Sequence, residues 1–224
     1  MTSERINFRP YTRAERLSDG VVHIVGIILA LMFVPVLISL TALSDAGTAA
    51  IVGVSVYGAT LLLMLTCSAL YNMIDNMRWH GVLKRLDHSA IYVKIAGTYT
   101  PFTLLTGAST GLLAGLWTAA VFGLSLKMIA PDRWRWCALA LYLAMGWAAV
   151  YAGGPMLAGL PRSVLVLMVV GGLLYTAGVI FYLRTRMPFH NTIWHVFVLA
   201  GSVVFFVAVS LCIAQVEPHL IETA

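Results

Sequence analysis

Long apolar stretches broken by short polar connections dominate the pattern of this chain. Seven can be traced, at about Val21 to Leu43, Ala49 to Met73, His88 to Leu105, Gly111 to Ile129, Trp134 to Tyr151, Val164 to Leu183 and Thr192 to Gln215. Crossing the hydrocarbon core of a bilayer takes about 20 apolar residues in a helix, so each run predicts one transmembrane helix. The fifth is short and ends in Gly153, Gly154 and Pro155, which punctuate it sharply. The third carries Lys94, and its Gly97 and Pro101 predict a kink or close helix packing. The expected fold is all-α: a polytopic bundle of seven transmembrane helices over residues 21–215, with an N-terminal segment at 1–20 and a tail at 216–224.

Composition agrees with a membrane-embedded chain. Of 224 residues, 60% are hydrophobic and 10% charged, with a mean hydropathy of +0.90, whereas soluble domains are about a quarter charged. The net charge of +5 would suggest nucleic acid in a soluble protein. Here the basic residues sit between apolar runs and report topology instead, so no nucleic-acid partner is expected. Lys and Arg collect on the cytoplasmic side of membrane proteins. Twelve of them fall in the N-terminal segment and the second, fourth and sixth connections, and the opposite side has only Arg162. The expected orientation is N-terminus in the cytoplasm and C-terminus outside. Residues 11–20 are open to two readings, a short interfacial helix or a solvated tail. The N-terminal segment is too polar and too long to be a cleaved signal peptide, so the first span is expected to stay. Cys67, Cys137 and Cys212 lie in apolar runs without paired spacing and read as packing thiols.

Polar groups at span edges then become the candidate chemistry, because such groups are costly in a membrane unless paired or wetted. His23 opens the first span, Ser68 and Asn72 close the second, Asp87 and His88 open the third, and Asn191 and His195 open the seventh. In the expected topology all of them lie at one cytoplasmic level and line one cavity. Ser68 with Asn72, and Asn191 with His195, are four residues apart and share a helix face. Lys94 lies two turns beyond Asp87 and has two readings, an Asp87 partner or a stem reaching for an interface. Trp79, Trp134, Trp136 and Trp194 read as boundary aromatics, and Gly171, Gly172 and Gly178 as packing positions. Nucleotide-binding glycine patterns, HExxH and GxSxG do not occur.

Several strings are similar to one family. Cys67-Ser-Ala-Leu-Tyr-Asn72, Arg85-Leu-Asp-His-Ser-Ala-Ile-Tyr92, Ile95-Ala-Gly-Thr-Tyr-Thr-Pro-Phe102, Met145-Gly-Trp147, Gly172-Leu-Leu-Tyr-Thr-Ala-Gly178 and Asn191-Thr-Ile-Trp-His-Val-Phe-Val198, with Glu15 and His23-Ile-Val-Gly26, resemble the hemolysin III proteins. These belong with the progestin and adipoQ receptors (PAQR) and resemble alkaline ceramidases. The resemblance implies a seven-helix fold, a bacterial inner-membrane location, and a zinc site built from Ser-x-x-x-His on the second helix, Asp on the third and His-x-x-x-His on the seventh. Ser68, Asp87 and His195 match that pattern. Asn72 and Asn191 stand where the other two histidines are expected, and an amide oxygen is a poor zinc ligand beside imidazole. His23, Asp87 and His88 are the replacement ligands that the sequence offers alongside His195.

Three functions follow as expectations. The first is a membrane protein of lipid homeostasis, sensing or signalling, with membrane lipids or a lipid-like ligand as partners and a cavity that includes His23, Asn72, His88, Lys94 and Asn191. The second is a zinc-dependent lipid amide or ester hydrolase, with His195 as metal ligand, Asp87 as base or orienting group, and Ser68 supporting the oxyanion or a ligand. The third, pore formation, gains little from the sequence, since its polar residues gather at one level instead of marking a path.

Overall fold

The computed structural model describes residues 12–44, 46–74, 76–130 and 133–222, with side chains described as far as residue 215. Among the described residues the chain forms nine helices and no strand: α1 Arg13–Leu43, α2 Gly47–Met73, α3 Met77–Thr106, α4 Thr110–Ile129, α5 Arg135–Gly146, α6 Ala148–Ala152, α7 Gly154–Ala158, α8 Arg162–Leu183 and α9 His190–Glu222. Five of these, α1, α2, α4, α8 and the His190–Gln215 part of α9, are long and apolar enough to cross a membrane. The other two expected spans come out differently. The third lies inside α3, which has the length, at 30 residues, but carries Arg78, Lys84, Arg85, Asp87 and Lys94. The fifth is not one continuous helix: α5 ends at Gly146, and the chain goes on as the short helices α6 and α7, with breaks at Trp147 and Gly153.

That break is held from outside. Backbone groups freed by an interrupted helix must find partners where water is excluded. The Tyr99 hydroxyl of α3 supplies both, donating to the Gly146 carbonyl at 2.8 Å and accepting from the Ala149 N–H at 3.2 Å. Ser109, in the connection from α3 to α4, accepts from the Met156 N–H at 3.3 Å.

The first helix begins eight residues earlier than its apolar run. Thr12 and Glu15 form a capping box, in which each side chain bonds the other residue's backbone N–H. The sequence Thr-x-x-Glu thus starts the helix at Arg13, and part of the expected N-terminal segment, residues 13–20, is helical. Thr12 is its N-cap, and residues 1–11 lie outside the described residues. At the other end α9 continues as helix through residue 222, into what the apolar pattern reads as a tail.

Small residues let the helices approach. A Cβ added at Gly53 of α2 would stand 2.8 Å from the Pro101 Cα of α3, so Pro101 serves close packing within an uninterrupted α3. Gly97 of α3 faces the Thr60 side chain, Gly171 of α8 lies under Phe205 of α9, and Gly178 of α8 lies under Trp194. Neighbouring helices pack in chain order from α1 to α4, α8 packs on α9, and α9 returns to α1 and closes the bundle. Large apolar side chains such as Leu31, Phe33, Val121 and Phe122 remain on the outside, as lipid-facing surfaces require. Trp79, Trp134 and Trp136 are exposed, whereas Trp194 is drawn inward. Its ring packs against Tyr142 and Tyr182. All three cysteines are free thiols, with Cys67 and Cys212 buried in the packing and Cys137 exposed.

Candidate functional site

The buried stripe of α1 runs Glu15, Asp19, His23, Gly26, Ala30, Val34, Leu37, Thr41. These steps of three and four residues mark a single helix face. Its first three members are polar, and each is only 4% exposed. Buried groups of this kind need partners, and the start of α9 supplies most of them. One Glu15 carboxylate oxygen accepts from Thr12, and the other accepts from the Phe189 N–H at 2.9 Å, just before α9. The Ser18 and Thr192 hydroxyls meet at 3.0 Å.

Asp19 lies at the centre. One of its oxygens is 2.6 Å from His195 Nδ1 and the other is 3.6 Å from His23 Nε2. The two imidazole rings are tilted against each other with centroids 4.4 Å apart. His23 Nε2 is buried and makes no hydrogen bond among the described residues. The Asn191 amide nitrogen donates to Asp19 at 3.3 Å and to Asn72 Oδ1 at 3.1 Å, and the Asn72 amide donates to the Ser68 carbonyl at 2.9 Å. Helices α1, α2 and α9 thus meet in one polar network.

Beside it opens a cavity of about 210 Å³, whose wall includes Ser68, Asn72, Asp87, His88, Asn191 and His195. Seven of the eight sequence-derived candidates therefore gather at this end of the bundle, six on the cavity wall and His23 in the network behind it. Asp87 and His88 stand apart from the Asp19 network, with His88 Nδ1 3.6 Å from Asp87 and 2.7 Å from the Lys84 carbonyl. Lys94 is the exception. It does not reach Asp87 and does not reach an interface: it is 3% exposed, donates to the Tyr175 hydroxyl at 2.7 Å, and lines a separate, deeper cavity. Asp19 is the residue that the apolar pattern missed, because that pattern begins α1 at Val21. The capping box and the four-residue ladder Glu15, Asp19, His23 are the signals that find it.

A family model described as haemolysin-III related matches residues 12–206, nearly the whole of this architecture and all of the polar network. The chain belongs to the haemolysin III family. It is 37% identical over 203 residues to a hemolysin-3 homolog of Bacillus subtilis, covering 89% of this chain and 94% of the relative. It is 38% identical over 200 residues to hemolysin-3 of Bacillus cereus, covering 87% and 90%. More distantly, it is 27% identical over 169 residues to the human monocyte to macrophage differentiation factor, covering 69% and 67%, a PAQR-related protein. This haemolysin III member is thus a multi-pass membrane protein, and a bacterial cell membrane fits its Bacillus relatives.

The three-histidine zinc set that the resemblance implies does not fit the residues present. Asn72 and Asn191 are bonded to each other, and Asn191 turns N–H donors, not a lone pair, toward Asp19. A different set does fit. Among the described residues, Asp19, His23 and His195 each offer one ligand atom, and these atoms lie within 4.8 Å of one another. Two imidazoles and a carboxylate suit zinc or another first-row divalent ion. The unbonded His23 nitrogen is the atom that such an ion would complete. Asp87 and His88 are not in this group.

Proposed function

We propose that this haemolysin III protein acts in membrane lipid homeostasis or sensing, through the polar cavity at the end of the bundle where α2 ends and α3 and α9 begin. The observation that carries the reading is the buried Asp19, His23, His195 set beside that cavity. A buried carboxylate between two imidazoles, with one nitrogen left unbonded, is costly as a purely structural feature and suited to a divalent cation. In this reading α3 and the broken α5–α7 segment supply the sixth and seventh spans, the N-terminus is cytoplasmic, and a lipid-like ligand contacts the cavity wall.

Metal content of the purified protein, measured by inductively coupled plasma mass spectrometry, tests the set. Near-stoichiometric zinc or another first-row ion is expected in the wild type, with loss in His195→Ala and Asp19→Asn and retention in Asn72→Ala. A metal-free wild type removes the cation from the proposal.

The same set favours a second reading, hydrolysis of a lipid amide or ester. A bound divalent ion lowers the pKa of water toward about 7 and polarises a carbonyl. Asp87, on the cavity wall, would take the proton of the attacking water, and Ser68 would donate to the developing oxyanion. Turnover of a fluorescent ceramide analogue in proteoliposomes, abolished by Asp87→Asn with metal retained, is the result expected. No turnover by the metal-loaded wild type leaves the sensing role.

A further inference from the structure

Seven residues, about 10 Å along a helix, separate Asp87 from Lys94 on α3, Tyr182 from Tyr175 on α8, and His195 from Ser202 on α9. The first member of each pair lines the larger cavity. The second members meet one another in a deeper polar layer. Lys94 Nζ donates to the Tyr175 hydroxyl at 2.7 Å, which in turn shares a 2.7 Å hydrogen bond with the Ser202 hydroxyl. The ammonium lies 4.7 Å from the centroid of the Tyr175 ring and 5.2 Å from that of Phe205.

Lys94 and Tyr175 line a cavity of about 40 Å³ whose other walls are largely apolar, including Ile95, Leu143 and Trp147. Among the described residues no carboxylate pairs with Lys94. A buried ammonium without a counter-charge is costly by several kcal/mol, and the aromatic faces offset only about 2 of these. Tyr142 sharpens the imbalance. It lines both cavities, it is 7% exposed, and its buried hydroxyl has no hydrogen-bond partner among the described residues. One side of the small cavity therefore offers a positive charge, and its wall holds an unused O–H donor. A negative ligand satisfies both.

We propose that Lys94, Tyr142 and Tyr175 form a binding site for one small singly charged anion, a halide or a short carboxylate, reached through the larger cavity. Size follows from the space. A water needs roughly 10–15 Å³ of such volume, so about 40 Å³ holds two or three heavy atoms. Single charge follows from the one ammonium and the apolar walls, which cannot compensate the desolvation of a dianion. Lys127 and Arg135 on the wall of the larger cavity, against Asp87, bias the approach toward anions.

The test uses full-length protein in detergent at constant ionic strength, with sodium gluconate exchanged for chloride, bromide or formate. A saturable rise in the thermal midpoint is expected for the wild type. It is lost in Lys94→Met and shifted to about fivefold higher anion concentration in Tyr142→Phe, as loss of one hydrogen bond implies. A response to halides alone assigns a halide site, and a response to formate assigns a carboxylate site. Absence of any response in the wild type, or an equal response in Lys94→Met, overturns the proposal. If Lys94→Met does not fold, direct binding of radiolabelled chloride and formate to wild type and Tyr142→Phe decides. No binding to the wild type, or equal affinity in the two proteins, overturns the site.

Discussion

Glu15 does two jobs with one carboxylate, and this makes its substitution informative. Its two oxygens take separate donors, Thr12 at the start of α1 and the Phe189 N–H ahead of α9. Hydrogen bonds to a charged acceptor contribute about 1.5–3 kcal/mol each. With the Thr12 bond counted as a helix cap of about 1 kcal/mol and the Phe189 bond at about 1.5–3 kcal/mol, Glu15→Ala is expected to destabilise the protein by about 2.5–4 kcal/mol. Glu15→Gln keeps one acceptor oxygen but presents an NH₂ group to the other donor, so a smaller loss is expected. Thermal unfolding in detergent, followed by circular dichroism, measures both, and equal loss in the two variants would refute the two-donor account. His23 and His195 were legible as candidates because polar residues at span edges stand out. Asp19 was not, because it precedes the apolar run and looks like part of a solvated segment until the capping box moves the helix start to Arg13.

Close approach between elements depends on a few positions without side chains. At Gly53 an added Cβ meets the backbone of Pro101, which cannot move aside, whereas at Gly115 on α4 nothing among the described residues lies within 4 Å. Gly53→Ala is expected to cost about 1–3 kcal/mol through overpacking of α2 against α3, and Gly115→Ala to leave the midpoint within a degree or two or raise it slightly. A neutral Gly53→Ala would show that the α2–α3 seam relaxes more readily than its geometry implies. The role of glycine and of Pro101 in packing was readable from their occurrence in apolar runs. Which helix each one meets was not, since composition carries no partner. The same limit explains α5 to α7: Gly153, Gly154 and Pro155 announced an end, but the earlier break at Trp147 depends on Tyr99 of α3, some fifty residues away, satisfying the freed backbone groups.

For the whole molecule, the distribution of Lys and Arg argues for an N-terminus in the cytoplasm and seven crossings, two more than the five helices that qualify by length and apolarity. A reporter fused after residue 224 discriminates: an alkaline phosphatase fusion is expected to be active, as an external C-terminus requires, and a fluorescent cytoplasmic fusion would refute the seven-span count. The sequence by itself determined that the chain is helical, membrane-embedded and polar at one level, because bilayer burial imposes length and apolarity on each span independently of its neighbours. Only the tertiary structure decided which polar groups meet. Asp19 reaches His195 across 176 positions of chain, and Lys94 turns from Asp87 to Tyr175. Such pairings arise from how helices are rotated and juxtaposed, which local periodicity does not encode. The two imidazoles and carboxylate behind the larger cavity, and the unpaired ammonium below it, are products of that packing.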